Sequence, residues 1–223
     1  MRKKQKINIY AENIDKADGV PKKLFSDLIE IIKSEIIKHN LQPGTTLSFG
    51  NYGYVRLERN HDLENHDSYI LLDPEDESKD ADNFLRRWIT LRAFDYKEDH
   101  FYHEALECFN HAIDMNPDDT TDAVLYHARA SVKDDIISSS KSNKNFGQLA
   151  IGVFDDLLHS IHLNHDYADA YRDLYVFLDG IKSQENDEEH NKWKSEVAQK
   201  ALSYKVTKES AIIAQEKLKK FLK

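Results

Sequence analysis

One cysteine, four prolines and seven glycines in 223 residues leave this chain with few of the residues that make sharp turns or covalent staples. A lone Cys108 forms no intrachain disulfide, which suits a reducing compartment. No apolar run approaches the roughly 18 residues that a membrane span requires. The polar opening MRKKQKINIY has none of the hydrophobic region of a secretory signal. A cytoplasmic protein is the expectation. There is no cationic surplus either: the formal charge is −9. Nucleic acid and anionic membranes demand a basic field to neutralise phosphate, so neither is expected as the main partner. The two ends are locally basic all the same, with Arg2, Lys3, Lys4 and Lys6 at the start and Lys217, Lys219, Lys220 and Lys223 at the finish. A glycine-rich phosphate loop, a serine nucleophile elbow and a paired-cysteine motif are also missing. The sequence thus offers no complete catalytic constellation and calls for no cofactor.

What is present is 40% hydrophobic and 32% charged residues, with helical periodicity over most of the length. From Pro21 to about Asn40, Leu24, Phe25, Leu28, Ile29, Ile32, Ile36 and Ile37 recur at three- and four-residue steps, which marks an amphipathic helix with proline near its start. Around it the pattern is strand-like. Residues 7–13 (INIYAEN) begin with an alternation that ends before Asp18, Gly19 and Pro21. Thr46 to Arg59 alternates about a Gly-Asn-Tyr-Gly turn and reads as a hairpin, and Ser68 to Leu72 adds a third strand. Residues 1–75 are therefore expected to form a small α+β domain with one helix covering a short sheet. The piece IIKSEIIKHNLQPGTTL is similar to the opening of some bacterial winged-helix regulators. From Ser48 onward, however, the chain is Gly- and Tyr-rich and strand-like where such a regulator has a helix-turn-helix, so DNA binding is not assigned. Residues 76–82 form an acidic linker, whose Asp80 or Asp82 can cap the helix holding Phe84, Leu85, Trp88 and Ile89.

Arg86 to Pro117 reads RRWITLRAFDYKEDHFYHEALECFNHAIDMNP. Counting Arg86 as the first position puts Ala93 at eight, Tyr96 at eleven, Ala105 at twenty, Phe109 at twenty-four, Ala112 at twenty-seven and Pro117 at thirty-two. The alanines let two antiparallel helices approach closely, the aromatics fill the space between them, and the proline ends the second helix. This pattern resembles the tetratricopeptide repeat. A looser second unit comes next: its first helix lies in 120–133, with Tyr126, Arg129 and Ala130. Its second helix runs from Gln148 to about Asn164, after a polar loop over Ser138–Asn145. A third unit begins at Ala168 with Tyr171, Leu174 and Leu178, and its second helix runs from about Glu188 to Tyr204. Residues 206–223 form an amphipathic helix suited to capping the array. The fold class implied is mainly α: a tetratricopeptide-like solenoid of antiparallel helix pairs over 83–205, preceded by the α+β domain.

In that family, the first helices of successive repeats line a concave groove for an extended peptide or a partner helix. The resemblance carries groove positions onto Arg87, Thr90, Phe94 and Lys97 in the first unit. In the second they fall on Val124, His127, Ser131 and Asp134, and in the third on Asp169, Arg172, Val176 and Asp179. The Lys and Asn with which one subclass captures a terminal carboxylate are replaced by Thr90 and Phe94, and Asp169 and Asp173 stand where cations would. A non-enzymatic adaptor for a protein or peptide partner is the leading expectation. Solvated helix residues with no such role are the plain alternative.

Three histidine groupings bear on metal binding. His159, His162 and His165 step by three along a helix, so the outer pair diverges by about 120° and all three cannot reach one ion. His100, His103 and Glu104 occupy neighbouring helix positions from which a zinc pair can be built, although polar side chains facing solvent at a helix turn account for them as well. The duplicated Asn60-His61-Asp62 and Asn65-His66-Asp67 suggest a second function class, a catalytic or ligand-binding N-terminal domain whose substrate the repeats position; the further ligands that chemistry needs are absent. No metal is assigned. Cys108 shares the helix face of Ala105, Phe109 and Ala112 and is expected in the core. A homodimer through the 21–40 helix is the remaining option.

Overall fold

A computed structural model describes residues 7–59, 68–75, 80–116, 122–139, 146–181 and 188–222. The chain is mainly helical with a small sheet near its N-terminus, and it divides into two compact units, Met1–Asn116 and Pro117–Lys223.

The first unit holds β1 (Asn8–Tyr10), α1 (Glu12–Lys16), α2 (Gly19–His39), β2 (Thr45–Ser48), β3 (Tyr54–Arg59), β4 (Ser68–Leu72), α3 (Asp82–Glu98) and α4 (Tyr102–Asp114). Its four-stranded sheet has the order β1-β4-β3-β2. β2 and β3 form the expected antiparallel hairpin, with Thr45 opposite Leu57 and Ser48 opposite Tyr54. In its turn Gly50 and Gly53 have φ of 60° and 109°, left-handed values that side chains with a Cβ rarely adopt. β4 pairs antiparallel with β3 on one side and parallel with β1 on the other. A strand covered on both faces has little room for alternation, and of SYILL only Ile70 is less than buried.

The strand expected over residues 7–13 stops at Tyr10. Ala11 is buried and its carbonyl accepts the Ile14 amide at 3.1 Å, which turns the chain into α1. Asn13 Nδ2 then donates to Asp82 Oδ1 at 2.6 Å. That contact also corrects the expected cap. The α3 N-cap is Ala81, with no side-chain cap, and Asp82 sits in the first turn, where its charge still favours the helix dipole.

α2 buries Pro21, Leu24, Phe25, Leu28, Ile29, Ile32 and Ile36, while Ile37 of the periodic set stands exposed. Each of the fully buried Phe25, Leu28 and Ile32 contributes about 1.5–3 kcal/mol by leaving water. The helix ends at Asn40, which has φ 48°, and the amides of Asn40 and Leu41 both reach the Ile36 carbonyl. α2 packs on α3 and α4, with Phe25 edge-on to His111 at 5.6 Å. α3 and α4 form a tight hairpin in which Ala93, Ala105 and Ala112 are wholly buried and Phe94 meets Phe109 edge-on at 5.1 Å. The α4 C-terminus is held by Arg86, whose Nε donates to the Ala112 carbonyl at 2.7 Å. Pro117 and residues 76–79 of the acidic linker lie outside the described residues.

The second unit holds α5 (Ala123–Ser139), α6 (Phe146–Leu163), α7 (Ala168–Gly180), α8 (Glu188–Leu202), α9 (Glu209–Leu218) and a closing 3-10 turn, Lys219–Leu222. α5 runs past the expected end at 133 because Ile136 is buried; of the polar loop, 140–145 lie outside the described residues. α5 and α6 pair antiparallel, as Lys133 meets Gly152, Arg129 meets Asp156 and Ser160 donates to the Ala123 carbonyl. The core is built on Ile161, Tyr171, Leu174 and Leu178, all fully buried, with Ala198, Ala201 and Ala211 against them. α7 packs most extensively on α9, while α8 lies against α6, α9 and the closing turn. The expected third pair was α7 with α8. Small Ala211 and Ala214 on α9 let that helix approach α7 closely, so the segment expected as a terminal cap instead supplies α7 with its neighbour.

Candidate functional site

The polar feature with the most chemistry in the second unit lies where α5 faces α7. His127, on α5, is fixed from both ring nitrogens: Nε2 lies 2.8 Å from Asp173 Oδ2 and Nδ1 lies 3.1 Å from the Tyr167 hydroxyl. In the neutral ring, Nε2–H donates to the carboxylate and the tyrosine O–H donates to Nδ1. With both nitrogens engaged, His127 ties α5 to α7. Arg172 adds to the strut: its Nη2 is 2.9 Å from Asp169 and its Nε 3.6 Å from Asp173. Burial pushes the Asp173 carboxyl up, but the hydrogen bond and charge of His127, with Arg172, hold it below the usual carboxylate range.

Next to this strut is a cavity of about 180 Å³. Its walls are Ala130, Val153, Leu157 and Phe177, and its rim carries Ser131, Asp134, Asp173 and Val176. Asp134 is held above the ordinary carboxylate range by burial and by the negative charges of Asp135 and Asp173. Among the described residues no cation is paired with it. A second, more open groove of about 560 Å³ runs between α7 and α9, lined by Tyr167, Asp169 and Arg172 on one side and Lys208, Ile213 and Lys217 on the other. At its end Asp166 accepts hydrogen bonds from the amides of Thr207 and Lys208 at 2.5 and 2.9 Å, fixing the entry to α9.

Of the residues singled out in the sequence, His127 and Ser131 stand beside the first cavity, and Asp169 and Arg172 line the second groove. Arg87, Thr90, Phe94 and Lys97 belong to the first unit. There, exposed Arg87 lines a separate depression of about 290 Å³ with Tyr52, Tyr54 and Asp73. Thr90 and Lys97 are half-exposed, and the Phe94 ring is used for packing on Phe109. The histidine groupings are drawn into other contacts. His100 is not on a helix: it sits in the α3–α4 turn at φ 65°, its Nδ1 2.8 Å from the Tyr102 hydroxyl, which breaks the helical spacing to His103. His165 stacks on Tyr204 at 4.6 Å, and His162 Nδ1 lies 3.3 Å from the hydroxyl of the same tyrosine. Among the described residues no group of three His, Cys, Asp or Glu side chains is arranged to hold a metal ion. The Asn60–Asp67 repeat lies outside the described residues. Exposed Ile31 and Ile37 mark the outer side of α2, the helix considered for self-association.

Two features were not drawn from the sequence. One is Tyr167 as second partner of His127; no pattern signals it, because the contact joins residues 40 apart. The other is the buried Asp156 carboxylate, which receives Arg129 Nη2 at 2.6 Å, Arg129 Nε at 3.0 Å and Lys133 Nζ at 2.7 Å. Two cations four residues apart on the inner side of α5 were the available sign. Comparison with protein-family models, curated proteins and solved structures gives no match. No helix among the described residues is long and apolar enough to cross a membrane.

Proposed function

We propose that this chain is a non-enzymatic adaptor that takes an extended peptide or a helix of a partner protein across the α5–α7–α9 face of its second unit. The observation that carries the reading is the coincidence of the α5–α7 cavity with groove positions taken from the tetratricopeptide resemblance: Ser131, Asp134 and Val176 all border it. Apolar walls with a few placed polar groups are the usual make-up of a recognition site. Exposed Val176 and Ile213 supply apolar contact along the face, at 59% and 56% exposure. The helix pairing of α5 with α6 and the alanine-lined hairpin of α3 and α4 support a helical-repeat origin for the scaffold.

Site-specific photo-crosslinking tests the assignment. A benzophenone amino acid at Val176 or Ile213 is expected to trap the same partner in cell extract. The same probe at Ile151, which is 60% exposed on α6 and borders neither groove, is expected to trap none of it. Equal yields from all three positions would remove the face from consideration.

A further inference from the structure

The cavity between α5 and α7 is too small for a whole peptide or a drug-sized ligand, whose pockets run from about 300 Å³ upward; at about 180 Å³ it suits one side chain. Its walls are hydrocarbon, from Ala130, Val153, Leu157 and Phe177, and its mouth holds two carboxylates from different helices, Asp134 and Asp173. Hydrocarbon walls with negative charge at one edge fit a side chain that has a long apolar stem and a cationic head. An aliphatic or aromatic side chain would fill the walls but leave the half-buried Asp134 without a counter-charge, and an acidic one would add a third negative charge to the mouth.

Resting on the peptide-binding reading above, we propose that this cavity is a specificity pocket for a single basic residue of the bound partner, with lysine preferred over arginine. The two carboxylates belong to different helices, Asp134 to α5 and Asp173 to α7. That geometry suits the three rotatable donors of an ammonium better than the flat fork of a guanidinium. Asp134 supplies the open negative charge. Asp173, already engaged by His127 and Arg172, supplies field more than a free hydrogen-bond acceptor. The Ser131 hydroxyl lies on the same rim. The occupant is fixed by charge complementarity: Asp134 brings to the cavity a carboxylate with no paired cation among the described residues, whereas in the α7–α9 groove Asp166 and Asp169 are accompanied by Arg172, Lys208 and Lys217, so a peptide lying across both would place its basic residue over α5.

The test is retention of dodecapeptide pools on the immobilised full chain, random except for a central lysine, arginine, norleucine or glutamate. The lysine pool is expected to be retained at least tenfold better than the norleucine pool, with arginine between them. Asp134→Asn should bring lysine and norleucine within twofold. Asp155→Asn, the same charge change at an exposed α6 position, should leave the preference intact. Val176→Lys, at an exposed rim position that folding does not depend on, should supply a tethered ammonium and abolish the lysine preference even if Asp134→Asn folds poorly. Pools retained equally whatever the central residue would overturn the pocket while leaving the groove reading standing. Retention of none of them would overturn both, and a lysine preference lost equally in Asp155→Asn would show bulk electrostatics and overturn the pocket.

Discussion

Replacing Asp156 by alanine tests the energetics of the second unit most directly. The carboxylate is buried, with a side chain 4% exposed, and it receives three charge-assisted hydrogen bonds from Arg129 and Lys133, which are themselves only 17% and 15% exposed. Removing it leaves two like charges next to each other with little water to screen them. Breaking a buried ion pair by deleting one partner costs about 3–5 kcal/mol, most of it the penalty of the charge left behind. For a unit of this size a loss of about 3 kcal/mol lowers the midpoint of thermal unfolding by at least about 12 °C. The two tryptophans make the assay selective, because Trp193 packs in the second-unit core and Trp88 is buried in the first. Urea unfolding followed by Trp193 in a Trp88→Phe background should show the full loss, while Trp88 in a Trp193→Phe background should report an unchanged first unit. Replacing all three residues together, Arg129→Met, Lys133→Met and Asp156→Leu, should restore most of the stability, since well-packed apolar groups match a buried ion cluster. A loss below about 1 kcal/mol for Asp156→Ala, the range of solvent-exposed ion pairs, would refute the argument.

Two further outcomes concern titrating groups. Burial pushes the Cys108 thiol up to about 12, so at pH 8 it should resist a disulfide reagent in the folded protein and react only as fast as the first unit opens; labelling at the rate of a free thiol would contradict its place in the core. Asp166 is held down to about 2 by its bonds from the Thr207 side chain and the Lys208 and Thr207 amides. With an unfolded value of about 3.9, its contribution is present above roughly pH 4 and lost as pH falls through about 2. Asp166→Asn should therefore raise amide exchange at Thr207 and Lys208 at neutral pH, where the wild type is protected, and the difference should vanish in strong acid.

How far these features could be read in advance depends on how local their causes are. α2 announces itself because seven buried positions repeat at helical steps within one segment, and the alanines of α3 and α4 mark close approach within one hairpin. His127, Ser131, Asp169 and Arg172 were picked out through the tetratricopeptide resemblance; the structure puts Ser131 at the α5–α7 cavity and Asp169 and Arg172 along the α7–α9 groove. α1 was missed because five residues carry no readable period, and its formation depends on burying Ala11 and tying Asn13 to Asp82, 69 residues away. Cys108 reads as core from its neighbours on the helix; the Arg86 cap on α4 does not, since its partner carbonyl lies 26 residues on.

By itself, then, the sequence determined what local periodicity controls: a mainly helical chain, a small sheet at the start, roughly where the longer helices run and which of their faces are apolar. Tertiary structure decided what depends on meetings between distant segments. It set β1 parallel to β4, placed α9 rather than α8 closest to α7, buried Asp156 between two cations, and closed Asp134 and Asp173 around one small cavity. The physical reason is that a helix face shows in the spacing of its own side chains, whereas its partner is chosen by shape, small residues and charge that another segment brings to it.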